Sequence, residues 1–235
     1  MIAALALTAA LASTPAAGCV AETGAFEWGF KESFRAYISG SIANGEWTTE
    51  GGIGYATPAF FAERLEGPLA LDPLAGTLAV DGALRFTGHE GILDTTISDV
   101  RLVVESPDTL SVVVDIRGTT QDFVPVDSVD VPFLTGDLAA ARWSADGQEL
   151  LIEGIPLTLT AEGAEAFGTY PEGEAFDPLD LALATSEECA ARAIESRTAG
   201  ETVPLIVAAG VIAGGVAIGA VLAVLLRRRR ATMGV

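Results

Sequence analysis

Few residues in this chain can carry chemistry. It has one histidine, His89, three tyrosines, Tyr37, Tyr55 and Tyr170, and two cysteines, Cys19 and Cys189. An imidazole and a phenol can share a proton or hold a metal ion through nitrogen and oxygen. His89 sits in Phe86-Thr87-Gly88-His89-Glu90-Gly91, where the two glycines let backbone or ligand approach closely. The same features suit a histidine in a surface turn. Tyr170 follows Phe167 and Gly168 and precedes Pro171, which equally suits a packed ring with its hydroxyl at the surface. The chain has no CxxC, no HExxH, no Gly-rich phosphate loop and no nucleophile elbow. A Ser–His–Asp site would need His89 as its base, and no local signature supports one. With 32 acidic residues, a carboxylate pair for glycoside hydrolysis is always arguable and discriminates nothing.

The elements that must position these groups are mostly strands. Residues 26–42 place apolar side chains at Phe30, Phe34, Tyr37, Ile38 and Ile42, a spacing of three and four that predicts a helix stopped by Asn44-Gly45. Tyr37 then shares a face with Phe30 and Phe34. Beyond it the pattern alternates in short runs bounded by Gly, Pro or Asp. Strands are expected at 59–65, 76–87, 92–106, 109–117, 137–144 and 149–155, with a hairpin turn at Asp146-Gly147. A short helix is expected at 161–167, stopped by Gly168, and another at 187–197. The implied class is mainly β, an antiparallel sandwich or barrel-like domain with one or two packed helices.

The ends of the chain imply export and anchoring. Residues 203–226 carry no charge, and 24 residues exceed the roughly 20 that a helix needs to cross a bilayer core. Arg227 to Arg230 follow at once, which marks the cytoplasmic side of a transmembrane helix. Residues 1–18 read as a signal peptide, an apolar run followed by small residues, although its usual basic start is missing. Ala16-Ala17-Gly18-Cys19 is similar to a lipoprotein cleavage box without its Leu, and a transmembrane anchor would make a lipid redundant. The expected organisation is a signal peptide at 1–18, one domain at 19–197, a linker at 198–202, the span at 203–226 and a basic cytoplasmic tail at 227–235. The domain would stand outside the cell on a single-pass anchor. Two cysteines in an exported chain favour one disulfide, Cys19 to Cys189, closing the domain. Before the span the chain has nine basic and 32 acidic residues, a net charge of −23. Such a domain does not bind nucleic acid or an anionic membrane surface electrostatically.

Taken in order, three blocks resemble the HtaA-type haem-binding domain of surface haem-uptake proteins in Gram-positive bacteria. The first runs Phe26-Glu27-Trp28-Gly29-Phe30-Lys31-Glu32-Ser33-Phe34-Arg35-Ala36-Tyr37-Ile38. The second is Ala83-Leu84-Arg85-Phe86-Thr87-Gly88-His89-Glu90-Gly91-Ile92-Leu93. The third runs from Leu159 to Phe167, then Tyr170, Gly173 and Asp177-Pro178-Leu179. The resemblance implies Tyr37 as axial ligand of haem iron, His89 hydrogen-bonded to that tyrosine, and Tyr170 in the same pocket. Phe34, with Phe30 and Phe167, would form its walls. A phenolate is a hard anionic donor suited to ferric haem. The implied role is a binding protein and not an enzyme: a cell-surface protein that captures ferric haem and relays it to another haem carrier or a permease. Two other classes remain beside it. One is a haem-independent extracellular module for protein or carbohydrate, and the other is a hydrolase built on His89 or a carboxylate pair.

Overall fold

The computed structural model describes residues 18–119 and 124–200. The expected signal segment up to residue 17, the span at 203–226 and the tail at 227–235 lie outside the described residues. Among those described, no helix is long and apolar enough to cross a membrane. The chain divides into two units, one ending at Ile194 and one beginning at Glu195.

Alternation builds the strands. They are β1 (Val20–Trp28), β2 (Glu46–Gly51), β3 (Ile53–Ala56), β4 (Ala59–Leu71), β5 (Leu74–Gly88) and β6 (Leu93–Ser106). Then come β7 (Thr109–Thr119), β8 (Pro125–Asp137), β9 (Arg142–Asp146), β10 (Glu149–Leu159) and β11 (Ala175–Ala184). The helices are α1 (Glu32–Ser39), α2 (Ala161–Phe167) and α3 (Glu187–Gly200), and a single 3-10 turn occupies His89–Gly91. In β6 the inward positions are Leu93, Thr95 and Ile97, then Val100, Leu102 and Val104. The phase slips by one at Asp99, whose φ of 51° forms a bulge, so the apolar set stays on the inner face.

Eight strands close on themselves. β1 pairs with β4, β4 with β5, then β6, β7, β8, β10 and β11 follow in turn, and β11 returns to β1, every pair antiparallel. Closure leaves a barrel where the sequence allowed either barrel or sandwich, and it gives each of the eight strands a partner on both sides. The barrel is seamed by β4 and β5 only from Glu66↔Ala79 to Leu71↔Leu74. Beyond that seam the two strands part, β5 pairing with β2 and β4 with β3. β9 extends the sheet on β10.

Three expectations change. The helix expected over 26–42 is only α1, because Phe26 and Trp28 alternate with Glu27 as the inward residues of β1. Gly29 and a left-handed Phe30 (φ 61°) turn the chain before the helix begins. The strand expected at 137–144 is a bend over its first half and a strand only at its end. β8 ends at Asp137, whose carboxylate accepts from the Ala139 and Ala140 amides, and β9 starts at Arg142. The helix expected at 187–197 runs to Gly200. The disulfide forms as expected, joining Cys19 before β1 to Cys189 in α3 with Cα atoms 5.3 Å apart.

Candidate functional site

The site forms where α1, the His89 turn and the segment after α2 meet. α1 buries Phe34 and Ile38 and leaves Tyr37 half-buried beside them. Its end is held by the amides of Gly40 and Gly45, which donate to Tyr37 O (3.2 Å) and Ile38 O (2.8 Å). Position 45 must be glycine, since a Cβ there would lie 1.8 Å from the Thr87 carbonyl oxygen. This close approach brings the end of α1 against the end of β5, where His89 follows Gly88.

His89 and Glu90 take left-handed backbone (φ 52° and 56°) and Gly91 continues it (φ 91°). Two consecutive non-glycine residues in that region are costly, on the order of 1 kcal/mol or more each, and persist only where surroundings hold them. One such hold is the His89 amide, which donates to Ala43 O at 2.6 Å. The conformation aims the ring at α1. The Tyr37 hydroxyl and His89 Nε2 are hydrogen-bonded to each other across 52 residues of sequence, the tautomer deciding which donates. The ring centroids lie 5.8 Å apart.

α2 delivers the third group. Thr160 caps it, its hydroxyl oxygen accepting from the Gly163 amide at 2.8 Å and donating to the Pro132 carbonyl. Gly168 ends it at φ 66°, a left-handed stop that costs a glycine little. Tyr170 follows, half-buried, stacked on Phe167 at 6.4 Å and edge-on to Phe34 at 6.3 Å. Phe34 also lies 6.3 Å from Tyr37. The structure therefore brings Tyr37, His89, Phe34 and Tyr170 together. Phe34 is 1 % exposed, so it is the floor between two tyrosines. Phe30 lies deeper, fully buried, with its centroid 4.9 to 6.5 Å from seven other aromatic rings.

Sequence reasoning missed a polar cluster behind this floor. The Lys31 ammonium pairs with Glu174 (2.7 Å), donates to Ala175 O (2.8 Å) and lies 4.9 Å from the Tyr170 ring centroid. Asp177 accepts from the Glu32 amide at 3.1 Å and pairs with Arg35 at 3.3 Å, while its own carbonyl accepts from Trp28 Nε1 at 3.0 Å. Lys31 and Arg35 are one helical turn apart, but nothing local names partners more than 140 residues away. Elsewhere on the barrel Asp99, Asp115 and Asp130 converge, with Arg101 ion-paired to Asp99 and Asp130. On the strands leading to the site, a two-bond pair with Arg85 holds the Asp94 carboxyl below its ordinary range.

An eight-stranded antiparallel barrel with a tyrosine–histidine pair at the end of one helix defines the class of this domain. The sequence model of the family described as Htaa matches residues 23–182, well over half the chain, and the protein belongs to the HtaA family. The C-terminal domain of HtaA from Corynebacterium glutamicum is similar at 25% identity with a TM-score of 0.62, over 72% of this chain and 99% of that one. The N-terminal domain of the same protein is 30% identical with a TM-score of 0.55, over 71% of this chain and 99% of that one. The heme binding protein HtaB from that organism shares the fold at 22% identity and a TM-score of 0.55, over 71% and 95%. No curated protein matches the chain.

Proposed function

We propose that this protein is a cell-surface haem-binding protein that captures ferric haem through the Tyr37 phenolate and relays it for haem and iron uptake. Membership of the HtaA family supports a haem-binding role, and HtaB, which shares the fold, is a heme binding protein. The observation that carries the reading for these residues is the hydrogen bond between Tyr37 and His89.

The donor set fits haem. A half-buried phenol offers a hard oxygen ligand, as ferric iron prefers. The imidazole at its oxygen orients the ring and tunes how firmly the phenolate holds iron. Tyr170, half-buried and packed on the buried rings of Phe34 and Phe167, supplies an aromatic face suited to a flat macrocycle. A single tyrosine ligand suits exchange, which a relay requires. The partners of that relay are other haem carriers or a permease, and the expected anchor at 203–226 keeps the domain on the outer surface.

The test is titration of the full-length protein with ferric haem, followed by absorption. The native chain gives a tyrosinate-type spectrum. Tyr37→Phe loses that spectrum and at least about a hundredfold in affinity. His89→Ala keeps the spectrum and loses about 10- to 100-fold, the usual cost of an outer partner of a metal ligand. Equal binding by native and Tyr37→Phe chains would assign the iron to another residue. A native chain that stays colourless would leave a haem-independent binding module.

A further inference from the structure

Lys31 is the single lysine in the chain, and it is 9 % exposed. A buried ammonium is costly unless ion pairs and hydrogen bonds replace its water, and an apolar residue would fill the same space without that cost. Its partners therefore indicate what the charge does there. All of them come from one short segment after α2: the Tyr170 ring (4.9 Å), Glu174 Oε1 (2.7 Å), the Ala175 carbonyl (2.8 Å) and the Phe176 ring (5.6 Å). Lys31 itself immediately precedes α1, whose next two turns carry Phe34 and Tyr37. The far side of the segment is fixed to β10, with Gly173 donating to Leu159 O and Leu159 donating to Glu174 O, both at 2.9 Å. The side that faces α1 is held by Lys31, and its ammonium lies over the face of the one half-buried tyrosine there.

We propose that Lys31 is a positioning residue of the haem site: its ammonium, clamped by Glu174 and the Ala175 carbonyl, sets the plane of Tyr170 and its distance from the α1 helix that bears Tyr37. This rests on the haem reading above. The cation attracts the ring face and excludes tilts that would turn Tyr170 away from Phe34, so the ring meets the porphyrin without having to be ordered on binding. Lys31 does not touch iron, and its effect passes through Tyr170.

The experiment is the rate at which the full-length protein loses haem to excess apomyoglobin. Lys31→Met speeds loss about tenfold, a desolvated cation–aromatic contact being worth about that much, and leaves the Tyr37-type spectrum intact. Lys31→Arg, which can pair and stack in the same way, stays within about twofold of native. In a Tyr170→Ala background Lys31→Met adds nothing, whereas a general loosening of the fold would add its full effect. Glu174→Gln, at a side chain 36 % exposed, relaxes the clamp while keeping the charge; it speeds loss about threefold, again only when Tyr170 is present. This second variant decides the matter if Lys31→Met does not fold. A native rate in both variants, or the same acceleration with and without Tyr170, overturns this role for Lys31 and leaves the haem site standing. A native protein that binds no haem overturns the site and this role together.

Discussion

Phe30 should respond to substitution in an order opposite to the usual one. It is fully buried at the centre of the aromatic cluster, yet its backbone is left-handed at φ 61°. Removing the ring in Phe30→Ala costs about 3 to 5 kcal/mol, as for other buried aromatic residues. That is a large part of the roughly 5 to 15 kcal/mol that holds a domain together. Glycine ordinarily makes a further loss of about 0.5 to 1 kcal/mol against alanine, through the entropy of the unfolded chain. At this φ, any side chain carries about 1 to 2 kcal/mol of backbone strain that glycine lacks. Phe30→Gly should therefore equal Phe30→Ala or exceed it in stability by up to about 1.5 kcal/mol. Phe34, in the first turn of α1, supplies the control: there Phe34→Gly should fall below Phe34→Ala by about 1 kcal/mol, the ordinary helical difference. Urea unfolding of the four variants, with midpoints and slopes compared, measures both gaps. A Phe30→Gly variant less stable than Phe30→Ala by 0.5 kcal/mol or more (roughly the ordinary glycine deficit) would refute the reasoning. It would mean that the turn between β1 and α1 is not what places the helix.

Two further outcomes follow from the fold. Replacing both Cys19 and Cys189 by Ser frees a loop of 170 residues in the unfolded chain and should lower stability by about 2 to 5 kcal/mol, read by urea unfolding; a loss below about 1 kcal/mol would show that the bridge constrains little. Asp94→Asn should lower stability near neutral pH by about 0.2 to 1 kcal/mol, the range for exposed pairs. Because Arg85 depresses the folded Asp94 carboxyl, that stability is present above its unfolded value of about 3.9 and is lost as pH falls through the lower folded value. A gap between native and Asp94→Asn that widens on acidification contradicts this pairing.

Much of the local structure was legible in the residues. Alternation marked β5, β6, β7 and β10, and Ala161 to Phe167 with its glycine stop marked α2. The start of α1 was misplaced because Phe30 and Phe34 continue a helical spacing backwards into Phe26, while Phe26 and Trp28 point inward at strand spacing. Both periods fit the same few apolar residues, and only packing against β4 and β11 selects one. β8 was overlooked because its inward phase slips at Asp130, a left-handed residue that hides the alternation.

By itself the sequence determined a β-rich, strongly acidic domain bracketed by two cysteines, and it carried a family resemblance that named Tyr37, His89 and Tyr170. Periodicity, charge and motif are properties of neighbours along the chain and need no partner to be read. Tertiary structure alone decided that β1 meets β4 and β11 meets β1 to close a barrel, and that the Lys31 ammonium lies over the Tyr170 ring. Each of those choices pairs residues far apart in sequence. What selects the pairing is the burial of the whole inner face at once, together with left-handed turns at Phe30 and His89 that hold only inside the packed fold.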